Sequence, residues 1–565
     1  MPFDGGYYLL NQDLMRGGMH KHTTAFPEAI SDTMLDAVNT IQATPWRINT
    51  WILDLIRECW TGGDVLAGLP APDDEETPPE VPVETWLAMG PKERALLKHT
   101  RALIHERNAQ SISKREALLR KMNVAEELRG EESIWFPHSL DFRGRLYAMT
   151  QDLNPQGDDI AKALIMFSEG KPLGEDGLYW LGIRLANAYG QDKLSFQERT
   201  AWVKEHHDLI LDSAYDPLDG RRFWAAVDVN GDLVADEPWS FLATCREYAM
   251  ALEGKPSEFV SHLPIPLDGT CNGIQHLALM GRDTRGAVST NCAALDERQD
   301  LYAEVAEIVT KLVNADVVAG GENAEALAWA AQGISRKTVK SAVMTTPYGV
   351  TQRGIRDQLI KGGFTDDLEG SKALNAQYLQ RKIAEALGQT VESSRDIMAY
   401  FQGVAQALAE KNIPLRWKTP AGMEVHQSYY NLVRKKVQTL EGELVLWNED
   451  PEVGLNKRKQ ARASAPNIIH SFDAAMLALT ALRCLDEHDI TSFAFIHDSY
   501  GTHAADTSKL AKTLRDVAAE MYAVDRLAEF ETYVRSYALD IELPPRPELG
   551  SFNVDEVRSA PYFFA

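Results

Sequence analysis

The chain has 565 residues, a formal net charge of −24, 44% apolar residues and 25% charged ones. Its length exceeds what one hydrophobic core covers, so several subdomains are expected, and its ordinary composition excludes a disordered or fibrous chain. Five scattered cysteines with no C-x-x-C pair exclude a cysteine zinc cluster and a disulfide scaffold.

In chain order, the start MPFDGGYYLLNQD carries no leader pattern, and no uninterrupted apolar run approaches the ~20 residues of a membrane span, so a cytoplasmic protein with no membrane partner is expected. A helical stretch over 27–59 is followed by a connector at 69–84 with five prolines and six carboxylates. Residues 92–121 carry nine Lys or Arg against three Glu, with Leu96, Leu97, Leu103, Ile104, Leu118, Leu119 and Met122 at roughly helical spacing. That predicts amphipathic helices with a basic face, either solvated or facing a polyanion. Short strands and turns are expected over 131–150, then helices to about 253, a strand at PIPLDG, and helices again over 297–317 and 321–408. VQTLEGELVLW reads as a hairpin turning at Glu441-Gly442, before a second basic run of Lys457, Arg458, Lys459 and Arg462. SFAFIHDSYGT reads as strand, turn, strand, with helices and an aromatic C-terminus beyond. The class is α+β with helices dominant.

Three segments carry chemistry. In Leu267-Asp-Gly-Thr-Cys-Asn-Gly-Ile-Gln-His276 an apolar strand ends in Asp268, and glycines permit a tight turn into a helix; a carboxylate there suits a divalent cation, though Asp-Gly is also a common turn. Arg336 and Lys340 lie i, i+4 on one helix face with Tyr348 two turns on, able to hold a triphosphate and stack on its base, or simply to face solvent. In Phe493-Ala-Phe-Ile-His-Asp-Ser-Tyr-Gly501 a second carboxylate, Asp498, sits at a strand end beside His497, which alone could be a satisfied core histidine. Two strand-end aspartates plus a cationic helix form a constellation for nucleotidyl transfer, with two metal ions bridging the carboxylates and Lys340 neutralising or protonating the departing pyrophosphate. No G-x-x-x-x-G-K-[ST] loop or H-E-x-x-H motif is present.

These segments, with Asp141-Phe-Arg-Gly-Arg-Leu-Tyr147, Asn154-Pro-Gln-Gly157, Ala465-Pro-Asn-Ile-Ile-His470 and His497-Asp498-Ser499, resemble in order and across nearly the whole chain the single-subunit DNA-dependent RNA polymerases of bacteriophages and mitochondria, the phage branch more closely. The resemblance implies a right-hand polymerase fold with a small antiparallel palm sheet. It implies a thumb-like region at 1–135, palm at 136–296 and 470–565 with a C-terminal foot, and fingers at 297–469 with a promoter-reading hairpin at about 437–458. It implies that Asp268, Asp498 and the Gly269 carbonyl hold two Mg²⁺ ions, and that Arg336 and Lys340 hold the triphosphate while Tyr348 guards the nucleotide site. Arg145, Lys193 and Tyr302 match positions near the nucleotide, and Tyr147, Lys162, His470 and His497 positions near template or hybrid.

The implied partners are a DNA template, the RNA transcript and ribonucleoside triphosphates, met by a monomer in the cytoplasm, that of a bacterial host if the chain is phage or prophage encoded. Family-A DNA polymerases follow their first Asp with a bulky Glu-containing pattern, whereas Gly-Thr-Cys-Asn-Gly here leaves room for a ribose 2′-hydroxyl, so a DNA polymerase is the runner-up and an inactive nucleic-acid-binding remnant the other alternative. Three departures stand out. Ser341 replaces a second cation, Pro347 is expected to kink the helix before Tyr348, and Gly5-Gly-Tyr-Tyr8 already resembles sequence well inside relatives. The chain is therefore expected to lack the N-terminal promoter-binding domain, to elongate RNA but start poorly at a duplex promoter alone, and to depend on a separate N-terminal or promoter-opening factor. The expected distribution of charge places 92–121, 336–340, 434–436 and 457–462 around the hybrid groove.

Overall fold

A computed structural model describes residues 14–16, 30–320, 324–440 and 442–565; Gly5–Tyr8 and Glu441 lie outside the described residues. The expected helical stretch over 27–59 is two helices, Asp32–Gln42 and Thr50–Gly62, separated by the strand Trp46–Ile48. Local chemistry explains the break. Ser31 and Asn49 each cap a helix by accepting a backbone N–H, from Met34 and Ile52, and Pro45 between them disfavours continuation.

The basic stretch folds as one 37-residue helix, Pro91–Glu127. The acidic connector does not run free into solvent but returns along it: Glu75 takes Arg107 through two bonds of 2.8 and 2.7 Å, Asp74 pairs with Arg115, and Arg101 donates to the Pro78 carbonyl at 2.7 Å. Arg120 and Lys121 are taken by Asp152 and Asp158. Much of the helix's positive charge is therefore answered inside the chain.

The sheet that matters is small. Pro264–Asp268, Ser499–His503 and Ala494–Ile496 pair antiparallel with Ser499–His503 in the centre. Register sets Asp268 opposite Ser499, so the ends of two strands and the 497–498 turn meet at one edge. Ile265 and Leu267 alternate into the core while Asp268, at the strand end, lines a cavity. Two apolar cores flank this sheet. One gathers Ile265, Leu267, Tyr500 and the helices of the C-terminal half; the other gathers Trp46, Ile52, Phe167, Trp224, Trp239 and Phe241.

Lys457–His488 is a 32-residue helix, long and apolar enough to cross a membrane by length and composition, which the search for uninterrupted apolar runs missed. Its apolar window is 72% buried inside the protein, against helices Asp32–Gln42, Glu392–Glu410 and Thr507–Ala523, so packing accounts for its character. The 457–462 basic run forms its first turns, capped by Asn456. The preceding hairpin pairs Leu432–Thr439 with Gly442–Glu449, beginning earlier and ending sooner than the sequence pattern suggested. The C-terminal residues come back to the small sheet: Phe564 bridges to Gly269, and the Ala565 N–H donates to the Asp268 carbonyl at 3.2 Å.

Candidate active site

The turn after Asp268 is fixed from three sides. A Cβ on Gly269 would lie 2.9 Å from Gln275 Oε1 and 3.1 Å from the Phe564 ring, so only glycine fits. Cys271 adopts a left-handed φ of 55° and starts the helix Asn272–Gly281, while Thr270 Oγ1 accepts from Asn291 at 3.1 Å. On the neighbouring hairpin, His497 holds φ 53° in the two-residue turn between Ile496 and Ser499, a conformation that normally favours glycine. Its ring meets Tyr147 edge-on at 5.0 Å. The hairpin tip is thereby braced, and the Gly269 N–H donates to the Asp498 carbonyl at 3.3 Å.

Both carboxylates line one cavity of about 530 Å³ at the seam between the two cores. Arg336 and Lys340 line the same cavity, with Lys162, Lys193 and Tyr302. Burial raises the affinity of Asp268 for its proton; Ser499 opposes this by hydrogen bonding, and the charge of Asp498 adds to it. Asp498 is likewise raised by burial. Two crowded carboxylates of this kind are stabilised as anions by a cation between them.

The cationic helix runs Arg336–Thr345, its first turn capped by Ser335. Arg336 stacks over Tyr302 at 4.8 Å and donates to Asp300 at 2.5 Å. The expected kink before Tyr348 is instead a helix end. Pro347 cannot donate to the Val343 carbonyl, which the Thr346 N–H takes at 3.2 Å, and Tyr348 and Gly349 follow in a tight turn. Gly349, at φ 75°, fits a notch in the long helix, where its Cβ would lie 3.4 Å from the Arg462 carbonyl that Pro466 leaves without its helical donor.

Four of the expected residues, Arg145, Tyr147, Tyr348 and His470, form a layer beside the cavity rather than its lining. Tyr348 packs on His470 at 4.7 Å, and His470 Nδ1 meets Arg143 at 2.6 Å. Arg143 in turn donates to Asp141 at 2.6 and 2.9 Å, and Asp141 also accepts the Arg145 N–H at 3.1 Å. Arg145 reaches the fully buried Asp473; burial works against its charge, but Asp473 more than compensates and holds the guanidinium above its ordinary value. Burial, then the cations Arg145 and Arg143, depress His470 to about 2, so it is neutral and its Nδ1 accepts. Burial and Arg145 likewise depress His497 to about 4. Lys162 shares Glu237 with Arg184, and chiefly Arg184 lowers that carboxylate to about 2. His276, although inside the Asp268 motif, turns away to Tyr522 at 2.6 Å and packs in the core.

Sequence reasoning gave no role to the residues that hold the cations: Asp141, Glu237, Asp300 and Asp473. Asp141 did head the Asp141–Tyr147 motif, and Asp300 carried a signal as the helix-capping Asp before Leu301–Val318, where it accepts from the Tyr302 and Ala303 N–H groups.

Two strand-end carboxylates and a cationic helix lining one cavity are the parts of a phosphoryl- or nucleotidyl-transfer site. A family model described as DNA-dependent RNA polymerase matches residues 171–538, and the chain belongs to that family. It is 36% identical to "DNA-directed RNA polymerase 1B, mitochondrial" and 37% identical to "DNA-directed RNA polymerase 2B, chloroplastic/mitochondrial", both of Nicotiana tabacum, over 99% of the chain and 56% and 54% of those proteins. It is 34% identical to "DNA-directed RNA polymerase 1, mitochondrial" of Arabidopsis thaliana, over 99% of the chain and 57% of that protein. The chain thus spans a little over half the length of these relatives. They are organellar plant proteins by name, and they lend no support to the expected bacterial host cytoplasm.

Proposed function

We propose that this chain performs template-directed transfer of ribonucleotides to an RNA 3′-hydroxyl on a DNA template, releasing pyrophosphate. One observation carries the reading: residues 230 positions apart, Asp268 and Asp498, meet at one sheet edge and line one cavity with Arg336 and Lys340. In this reading the three-stranded sheet is the palm, the helices around Arg336–Thr345 belong to the fingers, and Pro91–Glu127 is the thumb helix. Membership of the family and the intact carboxylate pair support it.

The donor set fits Mg²⁺. Among the described residues no group of three or more His, Cys, Asp or Glu could form a closed cage, and Mg²⁺ ordinarily uses one or two carboxylates and completes its shell with water and phosphate oxygens. Asp268 and Asp498, with the Gly269 carbonyl, would hold two ions, which when bound polarise the phosphate and activate the attacking hydroxyl. Arg336 grips the triphosphate, oriented by Asp300 and by the Tyr302 face. Lys340 neutralises the charge that develops on the leaving pyrophosphate and can supply its proton. Tyr348 closes the sugar side of the site against Gly273, where an added Cβ would lie 3.2 Å from the tyrosine hydroxyl. The Gly-Thr-Cys-Asn-Gly run after Asp268 carries no bulky side chain to exclude a ribose 2′-hydroxyl. Lys193, Arg145, Tyr147, Lys162, His470 and His497 support nucleotide and template from the cavity wall and the layer beside it.

The test is extension of an RNA primer annealed to a DNA template, with Mg²⁺ and either ribo- or deoxynucleotides. Ribonucleotide-dependent extension that falls at least ~10³-fold in Asp498→Asn, with hybrid binding retained, is the expected result. Deoxynucleotide preference would make the chain a DNA polymerase, and binding without extension would make it a non-catalytic hybrid-binding protein; either overturns the reading.

A further inference from the structure

Among the charged groups of the cavity, most of the cations are already engaged. Lys162 and Arg184 share Glu237, Arg336 has Asp300, and Lys193 has Asp192. Two further cations line the same cavity without an ion pair among the described residues: Lys340 and Arg298. Lys340 is accounted for by the transfer chemistry, whereas Arg298 has no role in the sequence reading.

Arg298 is held on purpose-built backbone. Asn291, itself at φ 60°, donates to the Gln299 carbonyl at 2.9 Å and accepts the Gln299 N–H at 2.7 Å, and the same amide group reaches Thr270 in the turn that follows Asp268. The segment carrying Arg298 is thus tied to the carboxylate end of the cavity. Its side chain is half-buried, and its Nε is buried with no hydrogen-bond partner. A buried donor left unmet carries the cost of its lost hydration. Asp192 and Asp300 are near enough to favour its charge, but they are committed to Lys193 and Arg336. Arg298 and Arg336 both lie close enough to Lys193 to add to the loss of proton affinity that burial imposes on it. Three cations therefore converge on one wall, and one of them, Arg298, presents a buried donor with nothing to bind.

We propose that Arg298 is a nucleotide-binding residue that takes the polyphosphate tail of the incoming triphosphate and of the pyrophosphate product. This rests on the polymerase reading above. A planar guanidinium suits bidentate contact with phosphate oxygens, and the buried Nε would gain the acceptor it lacks. The contact is made to the bound tail before and after transfer alike, so it contributes to binding rather than to the chemical step.

Primer extension at varied ribonucleotide concentration tests this in wild type, Arg298→Ala and Arg298→Lys, together with calorimetric titration of inorganic tripolyphosphate in Mg²⁺. For Arg298→Ala the expected result is KM raised about tenfold, kcat within twofold, and pyrophosphate inhibition and tripolyphosphate affinity weakened by a similar factor. Arg298→Lys should recover only part of the loss, because the ammonium keeps the charge but neither the fork nor the buried Nε donor. Unchanged KM and tripolyphosphate affinity in Arg298→Ala would overturn the assignment. So would a fall in kcat at constant KM, the mark of a merely structural residue. If wild type does not extend RNA, the polymerase reading fails, and the tripolyphosphate titration still decides whether Arg298 binds the anion.

Discussion

Two regions of this protein are rich in Lys and Arg, and they differ in what surrounds the charge. The Pro91–Glu127 helix has the denser run, yet Arg107, Arg115, Arg120 and Lys121 are paired with acids, two of them from the Pro-rich connector. The cavity has fewer cations spread over distant positions of the chain, yet Lys340 and Arg298 line it unpaired, together with Asp268 and Asp498. Potential follows unpaired charge in a confined space, not charge per residue of sequence. In a protein with a net charge of −24, Lys340 and Arg298 differ from unpaired cations on exposed faces, such as Lys92, Lys98 and Lys114 of the long helix, in lining a cavity that also holds two carboxylates.

The comparison breaks most sharply at Lys340. In primer extension, Lys340→Ala is expected to lower kcat about 10²–10³-fold, the range lost when a general acid and its charge are removed. Arg107→Ala on the long helix should leave kcat within twofold. Equal effects would mean that pairing does not sort these cations by role.

The site's two ends were legible in sequence to different degrees. Asp268 and Asp498 could be found because an apolar strand, a turn and a small-residue run leave a local pattern, and the structure brings both to one sheet edge. The helix bearing Arg336 and Lys340 was legible for the same reason. What could not be read was pairing across the chain: Arg145 with Asp473, Lys162 with Glu237, and the return of the connector onto Arg107 and Arg115. These partners are separated by tens to hundreds of residues, and nothing local in either segment encodes them. Pro347 was misjudged because the rule for proline inside a helix was applied where the helix had already ended at Thr345. The membrane-length helix Lys457–His488 was overlooked because charged residues interrupt its apolar stretch.

The layer beside the cavity can be moved without touching any charge. A Cβ at Gly273 would lie 2.8 Å from Pro347 Cβ and 3.2 Å from the Tyr348 hydroxyl. Gly273→Ala should therefore push the Tyr348 turn outward, with kcat/KM for ribonucleotides falling about tenfold and discrimination against deoxynucleotides changing while hybrid binding stays constant. This separates shape from charge at the cavity. An unchanged ribo- to deoxynucleotide ratio would show that Tyr348 does not border the sugar.

Acid should weaken the body of the molecule before it loosens the long helix. Burial depresses His138 to about 4, His276 to about 3 and His503 to about 4. Each is neutral when folded but binds a proton below about 6.5 when unfolded, so the unfolded state takes up protons first and stability is lost as pH falls from 6.5 towards 4. Glu247, raised by burial to about 7, acts the other way, because its folded form takes the proton first as pH falls. His470 and His497, depressed by burial to about 2 and about 4, add to the loss, and Asp473, raised by burial to about 6, opposes it with Glu247. Five histidines against two carboxylates leave a net loss between pH 7 and 5, at about 1.4 kcal/mol per pH unit for each uncompensated group. Urea midpoints should drop between pH 7 and 5; a flat profile would mean that these histidines are solvated.

The smallest effect is expected where the chain's own acids cover the long helix. Replacing Asp74 and Glu75 together by Asn and Gln frees Arg115 and Arg107 without changing their positions along the helix. Exposed ion pairs of this kind add little to stability, so thermal unfolding should hardly move. Nucleic-acid affinity is the more sensitive readout. If the freed guanidinium groups can reach a phosphate backbone, the slope of log K against log salt steepens by about one per new contact, up to about two, while extension at saturating hybrid stays constant. A steeper slope would convert the long helix from a neutralised arm into a masked binding surface and narrow the difference between the two basic regions. An unchanged slope would show that Arg107 and Arg115 do not reach the phosphate backbone even when freed of their acids.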